Sequence, residues 1–480
     1  MKKYIIVIFP IVFAVLLFTS CDKNFEEINR NTDDPEVVPS SQLIGTSIRE
    51  MSNSLYSTFN GSEVGENWIQ HNALNAYNDP DRYRPRISTM DGVWNTFYAA
   101  VADANALSEL AVSEENEVNQ GIALVIKAYA FLVLADLYGD VPFTDAIKGP
   151  SEGNFTPAYD SQEVVYTGVL AMLDEAMPLL SSGIGTTDAS MDILYEGDAT
   201  KWNKFAHSLK FRALMRMSAK KDVSVDLQAL VSSGMLFSSN ADEAKLVFTS
   251  ASPNANPIYE TVVEQARAEH SLSQTLVDFL IDYNDPRLDV YCQPASSSGD
   301  YVGKPNGFAE TPLAGYTADD VSAIGEFYLQ AESPAYYVSY TELLFLMSEA
   351  AHKGLISGGE TAAQNYYETA INNSLTENGV AGGYAAYISD PRVAYNTADA
   401  DEQIGTQIWA ALFCQGFEAW TEWRRTKYPV LVPAAEGYLS EIPSRLKYES
   451  TEVSVNAQNY NDAVSNFGAD ELTRKVWWMN

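Results

Sequence analysis

Residues 128–142 read AYAFLVLADLYGDVP. With the residues before them, from Glu117 on, they set Ile122, Val125, Ile126, Tyr129, Leu132, Val133 and Leu137 at three- and four-residue spacings, the periodicity of a helix over 117–138. These positions leave no wide polar stripe, so the helix is expected to lie between other helices rather than against water. Gly139 and Pro142 end it, because glycine accepts the left-handed cap and proline cannot continue the backbone ladder.

Working outward, the same periodicity predicts helices over 41–58, 92–112, 161–181, 199–220, 258–281, 336–353, 360–377 and 402–425. The last carries Ile404, Ile408, Leu412, Phe413, Phe417, Trp420 and Trp423, again apolar on more than one face. Helix pairs stacked on helix pairs bury such faces. The small and aromatic spacing of AYAFLVLADLYGDVP is that of a tetratricopeptide unit, although the 34-residue period is degraded. The expected fold is mainly α, a tetratricopeptide-like superhelix of helix pairs with a loop-rich variable subdomain. Residues 41–480 read as a single domain with loop-rich insertions near 60–91, 282–335 and 379–400. Those insertions are rich in Gly, Pro, Asn, Asp, Ser and aromatic residues, and long loops of that kind in a compact domain are usually functional.

The N-terminus has a different character. Lys2 and Lys3 precede an apolar run from Tyr4 to Phe18, then Thr19, Ser20 and Cys21. A positive start, a short apolar stretch and small residues before a cysteine form a lipoprotein export signal, with residues 1–20 removed and Cys21 acylated. The 15-residue run contains Pro10 and falls short of the roughly 20 residues that span a bilayer as a helix. Residues 21–40 read as a lipid-anchored tether, about 60 Å long when stretched. The acyl chains would hold the protein at a membrane surface.

Composition narrows the partners. The formal net charge is −34, and loss of Lys2 and Lys3 leaves 28 basic residues against 64 acidic ones. No nucleic acid is expected, since phosphate binding needs clustered Lys and Arg. The one basic cluster, from Lys201 to Lys221, lies on a single helix with interleaved apolar residues and is read as pairing with surrounding acids. The negative field disfavours acidic ligands such as polyuronates and leaves neutral ones favoured. Beyond Cys21 only Cys292 and Cys414 remain, too few for a disulfide framework, and Cys414 reads as a small buried hydrophobe.

No GxSxG, HExxH, Walker loop, GxGxxG or complete EF-hand loop occurs. His71, His207, His270 and His352 show no ligand-like spacing, so no metal site and no cofactor is expected. A structural Ca²⁺ in the loops is left open. Adjacent acids such as Glu114 and Glu115 read as partners of helix N-termini. Binding is therefore favoured over catalysis, with a two-carboxylate glycoside hydrolase the enzymatic alternative.

The loops hold aromatic and amide chemistry. Aromatic rings stack on the apolar faces of sugars, while amides and guanidiniums donate to hydroxyls that would otherwise be desolvated unpaired. Trp68, Tyr77 and Tyr83 are the expected stacking platforms, and Gln70, Asn72 and Arg82 the expected donors. Tyr301, Phe308 and Tyr328 extend the site from the second loop. Peptides would suit such residues nearly as well.

Several motifs together resemble the SusD/RagB nutrient-binding outer-membrane lipoproteins, nearer the SusD-like second subfamily. They are CDKNFEEIN from Cys21, WNTFY from Trp94, LADLYGDVPF ending at Phe143, WNKFAHSLKFRALMRMS from Trp202 and NDPRL from Asn284. SYTELLFLMSEAAHKG from Ser339, QIWAALFCQGFEAWTEWRRTKYP ending at Pro429, IPSRLKY from Ile442 and VWW from Val476 complete the set. The chain departs at YES from Tyr448, where the family often has proline after the tyrosine, and in its closing MN. Each motif also reads as scaffold: Arg424 and Arg425, for example, complement a helix C-terminus. The resemblance implies a right-handed stack of tetratricopeptide-like pairs acting as a hinged lid on a SusC-like TonB-dependent β-barrel transporter. Such a lid sits on the outer membrane at the cell surface and captures an oligosaccharide or a peptide for nutrient uptake, without catalysis. It carries no ligand residues over to this chain.

Overall fold

The computed structural model describes residues 38–309 and 316–479; Cys21, the signal and most of the tether lie outside them. The residues from Ser40 on form one compact unit. Its α-helices of eight or more residues are α1 (Gln42–Tyr56), α2 (Ile87–Ser113), α3 (Glu117–Tyr138), α4 (Gln162–Leu180), α5 (Ala199–Met217) and α6 (Ser224–Ser233). They continue as α7 (Gln274–Asp282), α8 (Tyr340–His352), α9 (Gly359–Glu377), α10 (Ala400–Ala411), α11 (Gly416–Thr426) and α12 (Ala457–Phe467). Consecutive helices pack on one another from α1 through α5, and again from α8 to α9 and α10 to α11, with α5 joining the two groups through α8. This is the helix-pair stack that the periodicity implied.

Local chemistry sets the ends of these helices. The Asn116 side chain accepts from the Asn119 N–H at 3.0 Å, Asp198 from Thr200 at 2.9 Å, and Ser339 from Glu342 at 3.1 Å, each satisfying a donor that the first helical turn leaves free. Gly139 closes α3 with φ +93°. Helix α3 is long and apolar enough to cross a membrane, but most of it is buried inside the unit, as a core helix should be.

Most of the basic cluster on and just after α5 is paired. Lys204 meets Asp242 at 2.8 Å, Lys210 meets Asp174 at 2.5 Å and Lys221 meets Glu163 at 2.7 Å. Deeper in, Arg212 forms a two-pronged bond with Glu342, its Nε donating at 2.6 Å, and Arg216 bonds Asp136 and Glu418. Asp136 also accepts from the Tyr166 hydroxyl and, at 3.0 Å, from Trp478 Nε1. Burial works against charging Arg216, yet Asp136 and Glu418 outweigh it and hold the guanidinium above its usual pKa.

Three pairs of short antiparallel strands stitch the loops to the helices. Strands β1 (Asn72–Leu74) and β3 (His270–Leu272) pair with Ala73 opposite Ser271, β2 (Ala244–Val247) pairs with β6 (Pro334–Val338), and β4 (Cys292–Gln293) with β5 (Ala323–Ile324).

Three predicted helices differ from the structure. Residues 258–281 hold a short turn, the π-helical Glu260–Glu264, strand β3 and only then α7; the polar run Ala266–Glu269, with Ala266 at φ +52°, breaks the ladder, and β1 recruits the next residues. The first residues of 336–353 belong to β6. Residues 402–425 divide into α10 and α11 at Cys414, which takes φ +65°. The break turns α11 onto the π-helical Thr58–Glu66, where a Cβ on Gly416 would lie 2.0 Å from the Gly61 carbonyl oxygen. Helices α6 and α12 were not foreseen. Arg425, read as a helix-end charge, instead bonds Glu349 at 2.5 Å, and Arg424 donates to the backbone carbonyls of Asp136 at 2.7 Å and Ser444 at 2.8 Å.

Removing one member of a buried ion pair leaves its partner uncompensated. Asp136→Ala is expected to cost about 3–5 kcal/mol, read as a lowered denaturant midpoint. Arg425 and Lys353 overcome burial and hold Glu349 down to about 2, so its contribution is present above the unfolded carboxylate pKa and is lost as pH falls from about 4.5 towards 2. The stability gap between the native chain and Glu349→Gln is expected to narrow over that range in acid titrations followed by circular dichroism.

Candidate functional site

The segment 75–86 turns sharply. Asp79 and Pro80 lead into the 3-10 turn Pro80–Arg82, and Tyr83 closes it at φ +70°. Asp81 is buried and ties this turn to the second loop, accepting from the Gly307 N–H at 2.9 Å and from Asn306 Nδ2 at 2.7 Å. A third segment joins them: Arg82 Nε donates to the Glu436 carbonyl at 2.7 Å, the Tyr83 hydroxyl accepts from the Ala434 N–H at 2.7 Å, and the Tyr438 hydroxyl donates to Asp79 at 2.8 Å.

This junction forms the wall of an open groove of about 590 Å³, lined among others by Tyr77, Asp79, Arg82, Arg84, Arg86 and Arg267. The guanidiniums are braced on rings: Arg82 and Arg84 lie 4.4 and 5.1 Å from the centre of Tyr438, and Arg86 and Arg267 lie 5.3 and 4.9 Å from that of Phe59. Arg86 meets Glu63 at 2.9 Å and Arg267 meets Glu269 at 2.8 Å. Burial raises the Glu63 carboxyl to about 7 against the pull of Arg86. Tyr77 is 61% exposed, and its φ of +54° places a tyrosine in the left-handed region, where side chains other than glycine are strained.

The expected site residues therefore separate. Tyr77 and Arg82 line the groove. Tyr83 is buried and spends its hydroxyl on the chain, so it is a brace rather than a platform. Trp68 is fully buried, its indole donating to the Pro80 carbonyl at 2.9 Å and packing edge-on against Trp420 at 4.8 Å; it offers no face to a sugar. Gln70 and Asn72 are buried too. Gln70 bridges the Val432 carbonyl and the Thr275 hydroxyl, and Asn72 donates to Glu66, so neither amide is free for a ligand. Tyr301 donates to Asp289 at 2.7 Å, and the Phe308 carbonyl accepts from Asn78. Both line neither cavity.

Tyr328 belongs elsewhere. It lines a cavity of about 400 Å³ with Tyr56, Phe327, Tyr336 and Phe413, its hydroxyl donating to Asn378 at 2.7 Å and its ring edge-on to Phe413 at 4.9 Å.

Sequence reading missed Arg84, Arg267 and Tyr438. Arg267 was hidden inside the supposed helix 258–281, and its polar surroundings were the available signal. Tyr438 stands in VPAAEGYLS (432–440), a proline- and glycine-marked stretch like the loops that were singled out. Among the described residues no group of three or more His, Cys, Asp or Glu side chains is placed to hold a metal ion. His207 and His352 are engaged locally, with the Asn203 carbonyl at 2.9 Å and Glu360 at 3.0 Å. Cys292 and Cys414 are buried and unbridged.

Comparison with known proteins places the fold. The solved structure of a chitin-binding protein superposes with a TM-score of 0.80 at 25% identity, covering 92% of this chain and 100% of that one. A chitin-binding SusD homolog from Flavobacterium johnsoniae gives 0.78 at 23% identity, covering 91% and 98%. A SusD homolog from Bacteroides uniformis gives 0.79 at 23%, covering 91% and 99%. No curated protein sequence matches. The SusD-like_2 family model, described as starch-binding and associating with the outer membrane, matches residues 32–449, and the chain belongs to that family.

Proposed function

We propose that this protein is a cell-surface lipoprotein, anchored through Cys21, that captures an oligosaccharide in the groove at Tyr77 and delivers it to a SusC-like TonB-dependent transporter. Family membership supports a carbohydrate ligand and the outer membrane. The observation that carries the site is Tyr77, an exposed aromatic ring held in a strained backbone beside four guanidiniums. Strain of that kind costs on the order of 1–3 kcal/mol and persists where the surrounding structure enforces it, typically at ligand-binding sites. The ring supplies a face for a pyranose, and Arg82 and Arg84 supply in-plane donors at its edge. The groove is open, as a site must be that admits a chain rather than one sugar.

Titration calorimetry with mixed neutral glycans and mixed peptides, with a reducing-end assay on the same samples, tests the proposal. Saturable glycan binding without turnover is the expected result; peptide binding alone, or turnover, overturns it. Tyr77→Ala is expected to weaken glycan binding by about 1 kcal/mol without changing the melting temperature. Trp68→Ala is expected to do the reverse in kind, costing about 3–5 kcal/mol of stability as a buried aromatic, measured by denaturant unfolding.

A further inference from the structure

The aromatic cavity shares no lining residue with the arginine groove. Much of it is built by the break between α10 and α11, which contributes Phe413 and Gln415, by the segment Phe327–Tyr336, and by the end of α9, which contributes Glu377 and Asn378, with Tyr56, Ile258 and Thr341 closing the rest. Tyr328 stands edge-on to both Phe413 at 4.9 Å and Phe327 at 5.3 Å, and the Tyr336 N–H is bound to the Tyr56 hydroxyl at 2.8 Å, so the rings are fixed in place. Phe327 is half exposed at the edge.

The wall at Glu377 is unusual. Its Oε2 accepts from the Thr341 hydroxyl at 2.8 Å and from Asn373 at 3.4 Å, while its buried Oε1 makes no hydrogen bond of ordinary geometry and has the Tyr336 phenol and the Glu243 carboxyl as its polar neighbours. Its charged neighbours are Glu243 and Lys245, beside the phenol of Tyr336. Glu243 is already satisfied by the Tyr340 N–H at 2.9 Å and Lys245 Nζ at 2.8 Å, so Lys245 is committed to Glu243 rather than to Glu377. Burial, and then Glu243, push the Glu377 carboxyl up to about 8. An incoming cation favours the charged carboxylate, so its binding there is linked to loss of a proton from the carboxyl pair. A carboxyl beside aromatic rings is the chemistry that recognises an ammonium, and Glu332 at the same cavity, like the charge of −34 on the whole chain, repels anions and draws cations.

We infer that this cavity is a second binding site, for a saccharide bearing a free primary ammonium, with the ammonium on Glu377 and a sugar face on the half-exposed ring of Phe327 beside Tyr328. Asn378 is committed to the Tyr328 hydroxyl and the Ser374 carbonyl, but the Gln415 amide at the same cavity favours a polyhydroxylated ligand over a plain amine, since it pairs with hydroxyls.

The test is calorimetry of the chain from Asp22 on, with a β-linked glucosamine oligomer, its fully N-acetylated counterpart and a lysine-rich peptide of similar length. The amine form is expected to bind at least about tenfold more tightly than the acetylated form, as loss of one charged hydrogen bond would give. Glu377→Gln is expected to abolish that preference, and Phe327→Ala, at a half-exposed ring that the fold does not need, to weaken amine binding severalfold. Equal affinity for the two oligomers, a preference that survives Glu377→Gln, or Glu377-dependent binding of the peptide without the amino sugar would each overturn the inference.

Discussion

The structure depends on the bond between Arg216 and Asp136. Both are buried, and each gathers others: Arg216 bonds Glu418 and approaches Glu422, while Asp136 collects the Tyr166 hydroxyl and Trp478, and its carbonyl takes Arg424. Through Glu418 the network reaches Arg212, and through Arg212 it reaches Glu342 on α8. Helices α3, α5, α8 and α11 and the segment around Trp478 thus meet at one set of charges. A buried ion pair adds little net stability over a well-packed apolar pair, but a mismatched partner is costly. The network therefore penalises any other placement of these helices against one another.

Five of the motifs that resemble the family supply members of this network. LADLYGDVPF brings Asp136, the Trp202 motif brings Arg212 and Arg216, SYTELL brings Glu342, QGFEAWTEWRR brings Glu418 and Arg424, and VWW brings Trp478. IPSRLKY adds Arg445, whose Nε donates to the Tyr138 carbonyl at 2.8 Å at the end of α3. NDPRL makes a smaller copy elsewhere, with Arg287 on Asp285 at 2.6 Å, Ser374 at 3.1 Å and Gln407 at 3.3 Å. Such residues must keep their identity because an unpaired partner would remain buried. The groove residues have no such constraint.

This division explains what the sequence could reveal. Helix periodicity records which faces are buried, so α3, α4, α5 and α9 were legible to within a few residues. Breaks imposed from outside a segment leave no periodic trace. Cys414 interrupts an apolar run only because Gly61, Gly65 and Gly416 let two backbones touch, and β3 interrupts another because β1 lies beside it. The binding residues failed for a related reason. Trp68 and Tyr77 have the same aromatic chemistry nine positions apart in one loop, and only the third dimension shows that the first packs under Pro80 while the second faces water. Burial of an aromatic in a long loop is decided by where the loop returns to the body, and local composition does not encode that return.

The loops nonetheless hold a defined shape, and the reason is local. Asp81 joins the first loop to the second at Asn306 and Gly307, while Arg82, Tyr83 and Asp79 join it to the segment around Tyr438. Each contact is a side chain of the first loop against backbone of another, except at Tyr438 and Asn306. Backbone groups are present whatever residue the partner loop carries, so the neighbouring loops can change sequence without losing the brace. The groove-facing Tyr77 is free of such duties, and the Arg84 side chain is held only by its stacking on Tyr438 and its pairing with Asp79. A fold built this way separates the residues that fix its geometry from those left facing the groove, so the groove surface can vary while the frame stays fixed.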